Sequence, residues 1–399
     1  MTTATQAPAN DAKGHIDPAA TLSDGAFVPV QTRSERPWSF DPADFGAPTG
    51  REVNWKHTPL DRVKALLVDE AAPHGVIGVE VTAPDEVVQL RLAPGEAPRG
   101  EVFRPEDLPS AIAWSQEAEA PLIRIPANVE LDEPVIVRLT GTGGVAHAHV
   151  VIEAQPNSRG TVILRHEGTA QQSQNVEIIV RDGAALTVVS VQRWDDDAVH
   201  LSAHQARVDR DAKLTHIVAS LGGGVVRVNP SVELAGAGSE GKLYGLSFAD
   251  AGQHLESQVY LHHKGAHTTG DVLYKGALQG ESARSVWIGD VLIGPDAVGT
   301  DSYEANRNLV LTDGARADSI PNLEIETGEI QGAGHASATG RFDDEQLFYL
   351  QARGIDEEEA RRLVVLGFLV EIVQKVGIPS LEEEFTAAIE AELAGGAQA

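Results

Sequence analysis

The chain has 399 residues, of which 42% are hydrophobic, so it can bury a large core and form more than one structural unit. Its 59 acidic side chains against 31 basic ones give a net charge of -28, and such a surface repels nucleic acids and anionic membranes. Cysteine is absent, which excludes disulfides and any thiolate ligand for a metal or cluster from this chain.

The N-terminal third divides into a tail and a small mixed region. Residues 1–35 are rich in Ala, Thr, Pro and Asp without an apolar period, which predicts a mobile tail. They show no pattern of a secretory signal, and no apolar run reaches the roughly 18 residues of a membrane span. We therefore expect a soluble cytoplasmic protein. Residues 36–120 mix short apolar segments with prolines, which predicts an N-terminal α+β domain with a buried Trp55.

Residues 121–341 differ in composition and pattern from the residues before them. Short runs rich in β-branched residues are bounded by Gly, Pro, Asn and Asp, as is typical of strands. Small or turn residues precede such runs repeatedly, at Gly160, Asp182, Asp211 and Ser239. A period of roughly 20 to 30 residues, with strands and no helices between them, is typical of stacked turns that share one core. The sequence therefore predicts a mainly β protein whose core is a parallel β-helix.

Residues 342–399 are predicted to form a C-terminal helical domain. Asp356 followed by Glu359 is a typical N-cap pair, and Gly377 and Pro379 end the helix that it begins. This middle helix is apolar on more than one face, so it must be covered on several sides. With little chain left to cover it, we expect a partner protein to contribute.

Three segments near this boundary match family motifs: residues 321–325 (Pro-Asn-Leu-Glu-Ile), 335–340 (His-Ala-Ser-Ala-Thr-Gly) and 344–355 (Asp-Glu-Gln-Leu-Phe-Tyr-Leu, then Arg-Gly-Ile). They resemble the end of the core in the SufB/SufD family, whose members belong to the SufBCD machinery for iron–sulfur cluster assembly. The likeness is to the SufD branch, because SufB needs a cysteine as its sulfur acceptor. It covers roughly residues 50–375.

The resemblance implies a right-handed parallel β-helix flanked by the N-terminal α+β and C-terminal helical domains. It implies a scaffold and not an enzyme, in which the β-helix pairs with a SufB-like homologue and the helical domain docks a SufC-like ATPase. A transient cluster would form where the two homologues meet, with no cofactor bound stably by this chain. Alone, the chain could form a homodimer. The resemblance thus implies ATPase docking on the apolar middle helix, and we expect it at Leu363, Leu366, Phe368 and Val370.

His335 is the candidate metal ligand. Its neighbours Gly334, Ala336, Ser337 and Ala338 are small, so the imidazole has little cover. The resemblance implicates the equivalent histidine in cluster assembly, with further ligands from SufB. Neutral imidazole suits iron, and it can also relay protons near neutral pH.

Other motifs give weaker hypotheses. The segment containing His254, His262 and His267 is rich in metal-binding side chains but has no recognisable ligand spacing. Residues 238–243 (Gly-Ser-Glu-Gly-Lys-Leu) lack the spacing of a phosphate loop, so any ATP-driven step must come from another subunit. Two rival functions remain open: a polysaccharide-active β-helix enzyme, which would use clustered carboxylates, and a purely structural β-helix.

Overall fold

A computed structural model describes residues 37–69, 75–342 and 344–396, and the predicted tail of residues 1–35 lies outside this range. Strands dominate, which confirms the mainly β architecture predicted from the sequence. In chain order the strands are β1 (Ile77–Thr82), β2 (Val88–Leu92), β3 (Ala120–Ile125), β4 (Val135–Ala154), β5 (Arg159–Val180), β6 (Ala185–Trp194), β7 (Val199–Val208), β8 (Lys213–Ser220), β9 (Val225–Leu234), β10 (Glu240–Ala249), β11 (His254–His263), β12 (Thr269–Leu278), β13 (Arg284–Ile293), β14 (Asp301–Val310), β15 (Arg316–Ile325) and β16 (Gly332–Arg341).

The helices lie at the two ends of the chain. They are α1 (Leu60–Val63), α2 (Leu108–Gln116), α3 (Asp344–Gln351), α4 (Glu357–Lys375) and α5 (Pro379–Gly396), with short 3-10 turns at Pro42–Asp44 and Lys64–Leu66. The predicted cap of the middle helix is present, because the Asp356 side chain accepts a hydrogen bond from the Glu359 backbone N–H. Within the part of the chain that the structure describes, no helix is both long enough and apolar enough to cross a bilayer.

Strands β3 to β16 wind into a parallel solenoid of about eight turns. Odd-numbered strands from β7 to β15 stack side by side as one sheet, and even-numbered strands from β6 to β16 stack as the other. The long strands β4 and β5 run through both sheets. Ala185 pairs with Lys213, and Lys213 with Glu240, so successive turns begin where the repeat in the sequence predicts. The parallel β-helix is confirmed.

Both faces of each sheet are covered, which explains the continuous apolar runs in the sequence. Successive side chains of a strand point to opposite faces, so Val188 lies in the solenoid interior whereas Val189 lies on the outer face of the even-numbered sheet. There Val189, Ile217 and Phe248 pack against α4 and α5. The sheet of this same chain therefore covers most of the apolar surface of the middle helix.

The N-terminal region packs on the odd-numbered sheet. Trp55, Val63 and Leu66 contact the outer face of strands β7 and β9. A buried arginine, Arg227, ties the two together, with its guanidinium 4.1 Å from the Trp55 ring centre and 3.3 Å from the Glu256 carboxylate. Arg227 also donates a hydrogen bond of 2.9 Å to the Asn54 carbonyl, and Thr58 donates one of 3.0 Å to Glu256, so the buried pair holds the N-terminal region on the solenoid.

Candidate functional site

The last turn of the solenoid, made by β15 and β16, has no further turn stacked on it within the described residues. The outer edge of each of these strands therefore presents unpaired backbone N–H and C=O groups. Interior side chains of this turn are half-buried on β15 and mostly exposed on β16, and Ser337 on β16 donates a hydrogen bond of 2.8 Å to Ser319 on β15 across the opening. We call this surface the open end; it comprises strands β15 and β16.

His335 lies at the open end, on the interior side of β16. Strand pairing aligns it with Glu304 of the neighbouring strand β14, so the two side chains stack one above the other. The His335 side chain is 45% exposed, as its small neighbours predict, and its Nδ1 atom lies 3.9 Å from Glu304 Oε1. An incoming ligand or partner can therefore reach the imidazole.

Glu304 is the neighbour of His335 that the sequence did not reveal. It is 1% exposed, and neither carboxylate oxygen has a partner at normal hydrogen-bond distance. Burial, together with the negative charge of Asp290, raises the pKa of Glu304 to about 8, although the nearby Asn322 backbone amide opposes the shift. Glu304 is linked to the candidate ligand His335 only by its position on β14, the strand that pairs with β16.

Four other histidines lie inside the solenoid, although no motif in the sequence links them. His204 Nδ1 lies 2.9 Å from His216 Nε2, and the Gln174 side-chain oxygen contacts both His166 and His200. Burial lowers the pKa of all four, so they are neutral at pH 7. They form a polar stripe in the core, remote in sequence from the open end.

The histidine-rich segment around β11 does not converge on one site. His254 Nε2 lies 2.9 Å from Glu256, whereas His263 bonds to Thr268 and Ser302. His262 is half-buried beside Tyr260, and His267 occupies a turn. Among the described residues no group of three or more His, Cys, Asp or Glu side chains is arranged to hold a metal ion.

The four residues assigned to ATPase docking separate into two pairs. Leu363 and Val370 are exposed on α4, at 41% and 40%. Leu366 and Phe368 instead pack against the even-numbered sheet, and the Lys275 ammonium lies 4.9 Å from the centre of the Phe368 ring. The sequence could not show this packing, because it depends on which face of the solenoid α4 covers.

Helix α3 adds exposed aromatic surface close to α4 in the chain. Phe348 is 71% exposed and Tyr349 is 54% exposed. Exposed apolar surface typically marks interaction sites. The large exposed apolar side chains of α3 and α4 are Phe348, Tyr349, Leu363 and Val370, and we call them the exposed apolar group of the helical region.

Residues 137–368 match the family model described as SUF system FeS cluster assembly, SufBD core domain. An iron–sulfur cluster assembly SufBD family protein of Mycobacterium tuberculosis is 48% identical over 89% of this chain and 91% of its own length. SufD of Escherichia coli is 23% identical, over 88% of this chain and 91% of its own length. SufD of Bacillus subtilis is 28% identical, over 67% and 62%. The family expected from the motifs is confirmed, and the chain belongs to the SufB/SufD family of iron–sulfur cluster assembly proteins.

Proposed function

We propose that this chain is a SufD-like scaffold that pairs with a SufB-like homologue through the open end of its solenoid. A nascent cluster forms where the two solenoids meet, with His335 as this chain's contribution. The observation that carries the proposal is the half-exposed imidazole on an edge strand of the last turn. Unpaired edges of β15 and β16 can add strands of another chain, and a homologue offers a similar end.

The same edge supports a homodimer when the homologue is absent, because two copies present identical strands to each other. The chain carries no cysteine, so the sulfur ligands of a cluster must come from the homologue. We therefore propose that it binds no cofactor stably and catalyses no reaction alone. Family membership favours this scaffold over a polysaccharide-active enzyme, which a glycan-degradation assay would reveal.

Co-purification tests the proposal most directly. A tagged copy of the chain, expressed with its own genomic neighbours, should bring down a cysteine-bearing homologue and an ATPase. Replacing Pro321 and Ser337 by lysines would charge both edge strands and should release the homologue but retain the ATPase. Recovery of the chain alone, at every protein concentration tested, would contradict the proposal.

The isolated chain should hold no iron–sulfur cluster after anaerobic reconstitution with iron and sulfide. His335 cannot supply the ligand set alone, since clusters are held mainly by cysteine thiolates. Visible absorption spectroscopy, together with iron and sulfide analysis, checks this expectation. A stable brown protein with equal amounts of iron and sulfide would show that the ligand assignment is wrong.

We propose that the exposed apolar group of the helical region docks the ATPase. Phe348→Asp should release the ATPase, because it places a charge in the contact, and should change stability by about 0.5 kcal/mol or less because the ring is exposed. Phe368→Asp is a poorer test, since that ring packs on the chain's own sheet. Pull-down measures the release.

Leu90→Asp is the matched control for this test. Leu90 is 50% exposed on β2, in the N-terminal region, so the substitution adds the same charge away from the C-terminal helices. It should leave the ATPase bound. An ATPase that stays bound to Phe348→Asp and to Leu363→Asp would place the docking surface elsewhere.

A further inference from the structure

We propose that Glu304 and His335 together form a half-site for one divalent transition-metal ion at the open end of the solenoid. The remaining ligands come from the partner that covers this end. The inference rests on the proposed function for the identity of the ion, Fe²⁺, and of the partner. It assigns to Glu304 a role as metal ligand, which no motif in the sequence indicates.

The first argument is the contrast between Glu304 and the other buried glutamates of the described residues. Glu153 pairs with Arg124 and Arg181, and Glu256 pairs with Arg227 and accepts a hydrogen bond from Thr58. The Glu177 carboxylate accepts hydrogen bonds from three backbone amides, those of Gly100, Val102 and Phe103. The Glu304 carboxylate has no partner at hydrogen-bond distance, and only the Asn322 backbone amide is near enough to act on its pKa. Buried polar groups in proteins are normally hydrogen-bonded or coordinate a metal, so this carboxyl group calls for a ligand.

The second argument is the position of the carboxylate relative to His335. Glu304 Oε1 and His335 Nδ1 are 3.9 Å apart on adjacent strands. Two ligand atoms that each lie about 2.0 to 2.2 Å from one ion are roughly 3 to 4 Å apart, depending on the angle between them. The two side chains can therefore share one ion with little movement of the backbone.

The opposite sheet leaves room for the carboxylate. Gly289 on β13 faces Glu304 across the interior, and a Cβ atom there would overlap both the Glu304 carboxylate and the Trp287 ring. Asp290, the next residue, adds a second negative charge to the surroundings. A cation at the open end is favoured by this field and would lie between buried Glu304 and exposed His335.

The half-site can be tested on the full chain with Co²⁺ alone as the probe. Paramagnetic Co²⁺ broadens NMR signals of nearby nuclei, so chain labelled with ¹³C-histidine reports binding at His335, whose signal is assigned by its loss in His335→Ala. Glu304→Gln keeps the side-chain shape and removes the charge. We expect it to need at least about tenfold more Co²⁺ for half-broadening of the His335 signal.

Asp301→Asn is the matched control, because Asp301 is an exposed carboxylate on the same strand, opposite Gly332 of β16. It should leave the Co²⁺ concentration for half-broadening within about twofold of the parent value. Equal concentrations for Glu304→Gln and the parent would overturn the half-site. So would an equal weakening in Asp301→Asn, which would reveal a general charge effect.

Folding and the proposed function are monitored separately. Thermal unfolding of Glu304→Gln should occur at the parent temperature or above it, because the variant removes an unpaired buried carboxylate. Co-purification of the homologue should be unchanged in Glu304→Gln, since the residue is buried below the edge strand. If the unaltered chain does not co-purify with the homologue, the proposed pairing is refuted. The Co²⁺ experiment would still decide whether Glu304 binds the ion.

Discussion

Glu304→Gln is expected to stabilise the isolated chain at alkaline pH, by on the order of 3 kcal/mol relative to its effect in acid. The carboxyl group has a pKa of about 8 in the fold and an ordinary value of 4.5, and burial is the main cause of the difference. Between these values the folded chain binds more protons than the unfolded chain, so the parent loses stability as the pH rises. Glutamine does not ionise, so the stability of the variant does not fall with pH for this reason.

Denaturant unfolding at about pH 5 and about pH 8.5 measures the effect, with circular dichroism as the signal. The parent should unfold at lower denaturant at the higher pH relative to Glu304→Gln, and the two should converge toward pH 4.5. Asp301→Asn, an exposed acid on the same strand, controls for general charge. A constant difference between parent and Glu304→Gln across this range would show that the Glu304 carboxyl is not held neutral by the fold.

Much of the solenoid could be predicted because each turn repeats the same local chemistry. Asp211 and Ser239 stand at successive turns, and apolar runs follow each of them, so both the strands and their spacing are visible in the sequence. The apolar runs in the sequence have the same origin, since apolar side chains are needed on both faces of a covered sheet. Neither signal depends on knowing which strands become neighbours.

The pairing of Glu304 with His335 could not be predicted, because it does depend on which strands become neighbours. Glu304 belongs to no motif, and His335 follows a full turn later, so their contact depends on the register of β14 and β16. A shift of one residue would place Glu304 on the outer face, where an acid is ordinary. The packing of Phe368 was hidden in the same way, since α4 could have presented any of its apolar faces to the solenoid.

His335→Ala should leave the complex assembled but reduce its production of clusters by about tenfold or more. The side chain is 45% exposed on an edge strand and has no short hydrogen bond, so its removal should change stability by about 0.5 kcal/mol or less. The strand edge that we propose for pairing is backbone, which the substitution does not alter. Loss of function without loss of assembly would therefore identify the imidazole as a ligand or proton relay.

Two measurements separate this outcome from a structural one: transfer of clusters from the purified complex to an apo-acceptor, and pull-down of the homologue. Ser337→Ala removes a polar group from the same strand and should affect neither, although it breaks the hydrogen bond to Ser319. Full activity of His335→Ala would mean that the residue only completes a turn of small side chains. Loss of the homologue would instead make it an interface residue. The remaining result is an intact complex that builds few clusters. It requires chemistry at the imidazole, because a merely structural histidine would not change the cluster yield without changing assembly.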